Sequence, residues 1–108
     1  MLVTGKEILA VAKERSFAVP AFNAGSGQLL NAVIEACEEA ESPVMIAIHP
    51  EELKFLADSF IAQVKYAAEQ TDIPVCIHLD HGDEFKQIIH AIRLGFTSVM
   101  IDASHQSY

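Results

Sequence analysis

The sequence predicts an α/β fold in which parallel strands alternate with helices. Four short apolar runs rich in β-branched residues, at 17–22, 43–48, 73–79 and 97–101, have the length of strands buried on both faces. The valines of successive runs lie roughly 25 to 30 residues apart, which leaves room for one helix in each gap. With 51% hydrophobic and 20% charged residues, the 108-residue chain has the composition of a single domain with a buried core.

The first two predicted helices begin at recognisable capping residues. Thr4 and Glu7 have the spacing of a capping box, and they begin a helix that precedes the first strand. Ser26 is placed to cap the next helix, which lies between the first two strands. The acidic residues of that helix fall on the side opposite its apolar residues, so an amphipathic helix is expected.

The later gaps predict two more helices. A single helix is expected after the second strand, because Pro50 suits a first turn and an apolar stripe follows from Leu53 to Ala67. Asp83 is expected to cap the last helix, which should stop at Gly95. The predicted order is therefore one helix, three units of strand and helix, and a fourth strand.

Strands and helices that alternate in this way occur in the open doubly wound sheet and in the eight-stranded barrel. The loop at 23–27 has neither the G-x-G-x-x-G nor the P-loop spacing that would favour the open sheet. In a barrel, the carboxyl ends of the strands converge on the face that carries the active site. Polar residues follow every predicted strand: Asn23, His49, Asp80 with His81, and Asp102. We therefore predict a (β/α)8 TIM barrel, of which residues 1–108 form the N-terminal half.

Charge and cysteine content exclude several kinds of partner. Seven Lys and Arg against fifteen Asp and Glu give a net charge of -8, which makes nucleic acids and anionic membranes unsuitable partners. No signal-peptide pattern and no apolar run of membrane-spanning length occur, so a cytoplasmic protein is expected. Cys37 and Cys76 fall in apolar patterns and are predicted to be free, buried thiols.

The strongest local signal is the run HLDHG at 78–82. A strand period of two places His78 and Asp80 on the same side, and His81 comes where the strand is expected to give way to a loop. Imidazole suits zinc, and a neighbouring carboxylate could carry a proton for a metal-bound substrate. A metal site needs more ligands than these, so a second interpretation stays open. In it, His78 is a core histidine bonded to a carbonyl, Asp80 helps to cap the next helix, and His81 is simply exposed.

Three segments carry a family resemblance. Residues 74–82 (PVCIHLDHG) resemble the first signature of the class II, zinc-dependent ketose-bisphosphate aldolases, which act on fructose or tagatose 1,6-bisphosphate. Residues 19–23 (VPAFN) resemble the first strand of that family, and residues 98–105 (SVMIDASH) resemble the fourth. Three motifs in register are far more specific than one, and together they span almost the whole chain.

The resemblance implies reversible cleavage of a ketose 1,6-bisphosphate to dihydroxyacetone phosphate and glyceraldehyde 3-phosphate, with Zn²⁺ polarising the C2 carbonyl. Asp80 would be the acid/base at the C4 hydroxyl, His81 a zinc ligand, and Asn23 a substrate contact. His78 would orient its neighbours or serve only the structure. Asp102 would order the site, hold a second mono- or divalent cation, or be structural.

Some features depart from the family. His49 stands where many relatives have a glycine followed by a serine or threonine, so it is either a loop residue or a new ligand contact. The other zinc histidines and the phosphate-binding loops of the family have no counterpart in the 108 residues. We therefore expect this segment alone to be inactive, and its unpaired sheet edges to favour a homo-oligomer, a dimer or a tetramer.

Other functions stay open on the sequence. A non-catalytic aldolase-like subunit or scaffold would keep the same strand motifs, and a different zinc-dependent barrel enzyme would keep the same kind of site. For an aldolase, the partner is a phosphorylated sugar. The sequence does not choose between the fructose and tagatose substrates, which differ in configuration at C4.

Overall fold

Four parallel strands in chain order form the predicted sheet. The computed structural model describes residues 1–107, and the strands pair in the order β1-β2-β3-β4. None of the helices in these residues is long and apolar enough to cross a membrane. The elements are α1 (Gly5–Arg15), β1 (Ala21–Asn23), α2 (Gly27–Glu39), β2 (Val44–Ile48), α3 (Pro50–Leu56), α4 (Asp58–Gln70), β3 (Val75–Gly82), α5 (Phe85–Leu94) and β4 (Ser98–Ile101).

The two faces of the sheet have different surroundings. Because strand side chains alternate, one face presents a set of fully buried residues to α2, α4 and α5. On the opposite face, Met45 and Cys76 pack against Ile8 of α1, which covers the amino ends of the strands. This second face, the concave face, continues towards the carboxyl ends of the strands with Ala47 and His78. The buried residues of the helix-covered face include Val44, Ile46, Ile48, Val75, Ile77 and Leu79.

Two predicted helix starts are confirmed. At α1, Thr4 Oγ1 accepts a hydrogen bond from the Glu7 amide (3.2 Å), and Glu7 Oε2 accepts one from the Thr4 amide (2.8 Å). At α2, Ser26 Oγ accepts from the Leu29 amide at 3.2 Å. Each bond satisfies a backbone N–H that would otherwise lack a partner inside the helix.

The later helices differ from the prediction. The expected single helix after β2 is two helices, because Ala57 adopts φ 62 and ψ 171 and interrupts it. Leu53 and Phe60 are buried on either side of the break, so the apolar spacing looks continuous. Asp83 is not the cap of α5. Glu84 takes that position, and its amide donates to Gln87 Oε1 at 3.4 Å, because β3 runs three residues further than expected.

Burial on both faces is confirmed for the inner strands and wrong for the outer ones. All five residues of β2 are buried, whereas all three residues of β1 are exposed. Phe22 on β1 is 47% exposed and Ile101 on β4 is 73% exposed. Within residues 1–107 these strands have a neighbour on one side only, so their outer edges remain uncovered.

The two thiols are free and buried, as predicted. Burial raises the pKa of Cys37 and of Cys76, although hydrogen bonds from Thr97 and Ser98 partly oppose the effect at Cys76. Since the thiolate is the reactive form, iodoacetamide at pH 8 is expected to leave both cysteines unlabelled in the native chain and to label both in guanidinium chloride. Peptide mass spectrometry checks this, and rapid native labelling of Cys76 would contradict it.

Candidate active site

The carboxyl end of the sheet links four predicted site residues. Asn23 Nδ2 donates to Asp80 Oδ2 at 3.1 Å, which connects the ends of β1 and β3. His81 Nδ1 lies 2.7 Å from Asp102 Oδ2, just after the end of β4. His81 Nε2 lies 3.8 Å from Asp80 Oδ1. The four side chains therefore form one cluster, although they come from three strands.

A β-bulge brings Asp80 and His81 together. Leu79 pairs with Val99 and Gly82 pairs with Ile101, so β3 contains one more residue than β4 between the two pairs. His81 is in the left-handed region with φ 52, which is uncommon for a residue with a side chain. In a regular strand, two consecutive side chains would point to opposite faces. Because β3 continues to Gly82, the expectation that the strand ends before His81 is wrong.

Gly82 allows β3 and β4 to approach each other at the bulge. A Cβ atom on Gly82 would lie 2.8 Å from the backbone oxygen of Met100 and 2.9 Å from Leu79 Cδ2. We expect Gly82→Ala to lower the free energy of unfolding by about 1–3 kcal/mol, measured by urea denaturation. Gly27→Ala is the control, because the nearest contact of its Cβ would be the amide end of Gln63, an exposed side chain that can move away. Equal effects of the two substitutions would contradict this explanation.

The hydrogen bond between His81 and Asp102 shifts the pKa of both groups. The bond to Asp102 raises the pKa of His81, and the charge of Asp80 adds to this effect. The same bond, with further bonds from Ser104, lowers the pKa of Asp102 well below its usual range. Among the described residues, His81 Nε2 makes no hydrogen bond. A carboxylate that holds one ring nitrogen while the other stays available is typical of metal-binding histidines.

His78 lies deeper on the concave face. Its Nδ1 is 2.8 Å from Ser98 Oγ, so its partner is a hydroxyl and not the carbonyl of the alternative interpretation. Burial lowers the pKa of His78, and the charge of Asp80 opposes the effect. Sequence reasoning missed Ser98, although a polar residue in an apolar strand was a signal. The direct cross-strand register with His78 became visible only in the structure.

His49 acts as the N-cap of α3. Its Nδ1 accepts from the Glu51 amide at 3.2 Å, and its own amide donates to Glu52 Oε2 at 2.9 Å. The ring centroids of His49 and His81 are 5.9 Å apart, so both rings lie at the same cleft. The capping bonds give His49 a structural role and favour the interpretation as a loop residue.

The donor set fits one part of a zinc site. Catalytic zinc is held by three protein ligands, and His81 supplies one suitable imidazole. Residues 1–107 contain no group of three or more His, Cys, Asp or Glu side chains that could hold a metal ion. A complete zinc centre therefore does not lie within the described part of the chain.

Comparison with known sequences finds aldolases. Residues 3–108 match the family described as fructose-bisphosphate aldolase class-II. The fructose-bisphosphate aldolase of Thermus caldophilus is 41% identical over 108 residues, which are 100% of this chain and 35% of that protein. The enzyme of the same name from Helicobacter pylori strain J99 is 43% identical over 110 residues, covering 100% of this chain and 36% of that protein. The chain thus spans little more than a third of these relatives.

Comparison with solved structures also finds aldolases. The YdjI aldolase from Escherichia coli K12 superposes with a TM-score of 0.92 at 30% identity, over 99% of this chain and 42% of that chain. Fructose-bisphosphate aldolase from Campylobacter jejuni superposes with a TM-score of 0.84 at 29% identity, over 98% of this chain and 39% of that chain. The predicted fold class, part of an aldolase barrel, is confirmed. Because both sequence and fold match over nearly every residue, this chain belongs to the class II fructose-bisphosphate aldolase family.

Proposed function

We propose that this chain supplies the first four strands of a zinc-dependent aldolase that reversibly cleaves a ketose 1,6-bisphosphate to dihydroxyacetone phosphate and glyceraldehyde 3-phosphate. The observation that carries the proposal is the bulge, which places the Asp80 carboxylate beside the His81 imidazole at the carboxyl end of the sheet. Zinc, when bound, polarises the C2 carbonyl of the substrate. His81 would be one of the side chains that hold it.

Asp80 is suited to carry the proton of the C4 hydroxyl. Its side chain is 25% exposed, and Asn23 donates to Oδ2, so Oδ1 remains able to accept a proton. Returning that proton in the condensation direction needs no other group. Asn23 would also contact the substrate, since it lies at the same end of the sheet. His78, which is hydrogen-bonded to Ser98, would orient the neighbouring side chains of the site.

Asp102 is proposed to order the site. Its Oδ2 bonds to His81, and its Oδ1 accepts from the Ser104 amide at 2.9 Å. Both oxygens are therefore engaged, which supports an ordering role over the binding of a second mono- or divalent cation.

The remaining parts of the site would lie outside these 108 residues. The cleft beside His81 is lined by His49, Glu84, Asp102 and His105 among others, and no Lys or Arg of residues 1–107 lines it. The phosphates of a bisphosphate need cations or backbone N–H groups. We therefore propose that other segments bind both phosphates and complete the zinc site, and that this segment alone is inactive.

A hybrid enzyme tests this function. The matching residues of the Thermus caldophilus aldolase are replaced by this chain, and cleavage of fructose and tagatose 1,6-bisphosphate is assayed with zinc and with a chelator. We expect zinc-dependent cleavage of one of them, and none by the 108-residue chain alone. A hybrid that folds and binds zinc but cleaves neither would contradict the proposal. That outcome would favour a scaffold or a different zinc-dependent barrel enzyme.

The uncovered edges of β1 and β4 lead us to propose that the chain self-associates. Light scattering after size-exclusion chromatography should give a mass above 11.8 kDa that falls on dilution. Ile101→Lys at the β4 edge should weaken association, whereas Phe55→Lys on α3, at an 86% exposed side chain, should not. A monomer at every concentration would contradict this.

The complete enzyme is likewise proposed to be a homo-oligomer, a dimer or a tetramer. We also propose a cytoplasmic location, because two free buried cysteines are typical of a reducing compartment.

A further inference from the structure

The hydrogen bond between Asn23 and Asp80 passes over a strand. Asn23 ends β1 and Asp80 lies on β3, and β2 separates these strands in the sheet. Neighbouring strands lie about 4.8 Å apart, so the backbones of β1 and β3 are separated by about 10 Å. Because Asn23 Nδ2 and Asp80 Oδ2 are only 3.1 Å apart, both side chains must extend towards each other across β2.

The residue of β2 beside Asn23, where this bond begins, is Ala47. The register pairs Ala47 with Asn23 of β1 and with His78 of β3, so Ala47 lies between these two strands on the concave face. Asp80 lies two residues beyond His78, so the bond runs diagonally from the level of Ala47 towards the carboxyl end of β3. Ala47 is 4% exposed, and its side chain is a single methyl group. His49 follows the end of β2, and its ring is held by its capping bond to α3. The single methyl group of Ala47 leaves room above β2 for Asn23 to reach towards Asp80.

We propose that Ala47 is a positioning residue for Asp80, because its small side chain leaves open the path by which Asn23 reaches the carboxylate. A valine at this position would place two further carbon atoms between Asn23 and Asp80. Asp80 would then lose the donor that fixes its Oδ2, while His81 and Asp102, on the far side of β3, keep their bond. The role in catalysis rests on the function proposed above, whereas the contact itself does not.

In an active aldolase that contains this chain, Ala47→Val should lower kcat by about ten- to hundredfold, the effect of losing a hydrogen bond to a charged group. The zinc content should not change. Ala47→Gly should keep kcat near the wild-type value, because it leaves the path open. A residue that served only packing would be sensitive to both changes, because glycine leaves a void and valine overpacks a buried position. A loss of kcat with Ala47→Gly comparable to that with Ala47→Val would therefore contradict the positioning role.

The contact is tested on the ¹⁵N-labelled 108-residue chain by NMR, without any need for activity. The signals of the Asn23 carboxamide are recorded with and without Asp80→Ala, and the change in their shifts measures the coupling between the two residues. We expect a clear change in the wild-type chain and with Ala47→Gly, and none with Ala47→Val. Ala21→Val is the matched control, since it adds the same atoms to the concave face of β1 beside Met45 and should leave the coupling intact.

The outcomes separate the two proposals. Coupling that persists with Ala47→Val, or that is already absent in the wild-type chain, would overturn the role of Ala47. If the valine variant does not fold, Ala47→Thr has the same shape and is subject to the same criterion. Coupling that behaves as expected, together with an inactive hybrid enzyme, would support the placement of Asp80 by Ala47 and overturn only the aldolase function.

Discussion

Asp80→Ala in the hybrid aldolase is expected to lower kcat by about 10²- to 10⁴-fold, the usual contribution of a positioned acid or base. The substitution removes the carboxylate that takes the proton from the C4 hydroxyl. It leaves His81 and its bond to Asp102 in place. Zinc content, measured by mass spectrometry of the metal, should therefore stay at the wild-type value while cleavage is lost.

Asp58→Ala serves as the control for this experiment. Asp58 is an exposed aspartate that is hydrogen-bonded to His90, and it lies on α4, outside the candidate site. Its removal should leave kcat unchanged. An Asp80→Ala hybrid that kept most of its activity, or one that lost zinc along with activity, would show that Asp80 is not the acid/base.

His81→Ala is expected to lower the affinity for zinc by more than about 100-fold, beyond the loss that follows removal of an outer hydrogen-bond partner of a metal ligand. The substitution removes one of the three protein ligands that catalytic zinc requires. Dialysis of the hybrid against zinc buffers, followed by metal analysis, gives the dissociation constant. Cleavage should fall with the bound metal.

The matched control for His81 is His90→Ala. Both imidazoles have side chains 50% exposed and both bond to an aspartate, but His90 lies on α5, at the surface of the helical layer. Zinc binding should be unaffected by His90→Ala. Unchanged zinc affinity in the His81→Ala hybrid would contradict the ligand assignment.

Much of the fold could be predicted because the signals are local. The capping residues Thr4 and Ser26 act within one turn of their own helices. The run that forms β2 is apolar throughout because both of its faces are buried. The positions of Asp80 and His81 at a strand end followed from the chain order. Their residue types suggested a metal ligand and a proton carrier as one of two interpretations, and the family resemblance favoured that interpretation.

The details of the site depend on contacts between distant segments. The left-handed conformation of His81 is set by the pairing of β3 with β4, and Gly82 was the only local signal of that bulge. The bonds from Asn23 to Asp80 and from Ser98 to His78 depend on strand order and register, which no spacing along the chain reveals. The break at Ala57 was hidden because the apolar stripe continues through it.

The most direct test of the central claim is a crystal structure of the zinc-loaded hybrid, with anomalous diffraction measured at the zinc edge. We expect a zinc peak about 2.1 Å from a ring nitrogen of His81, with the Asp80 carboxylate beside it and free of the metal. A zinc peak that is not bonded to His81 would contradict the assignment of this strand end as the aldolase site.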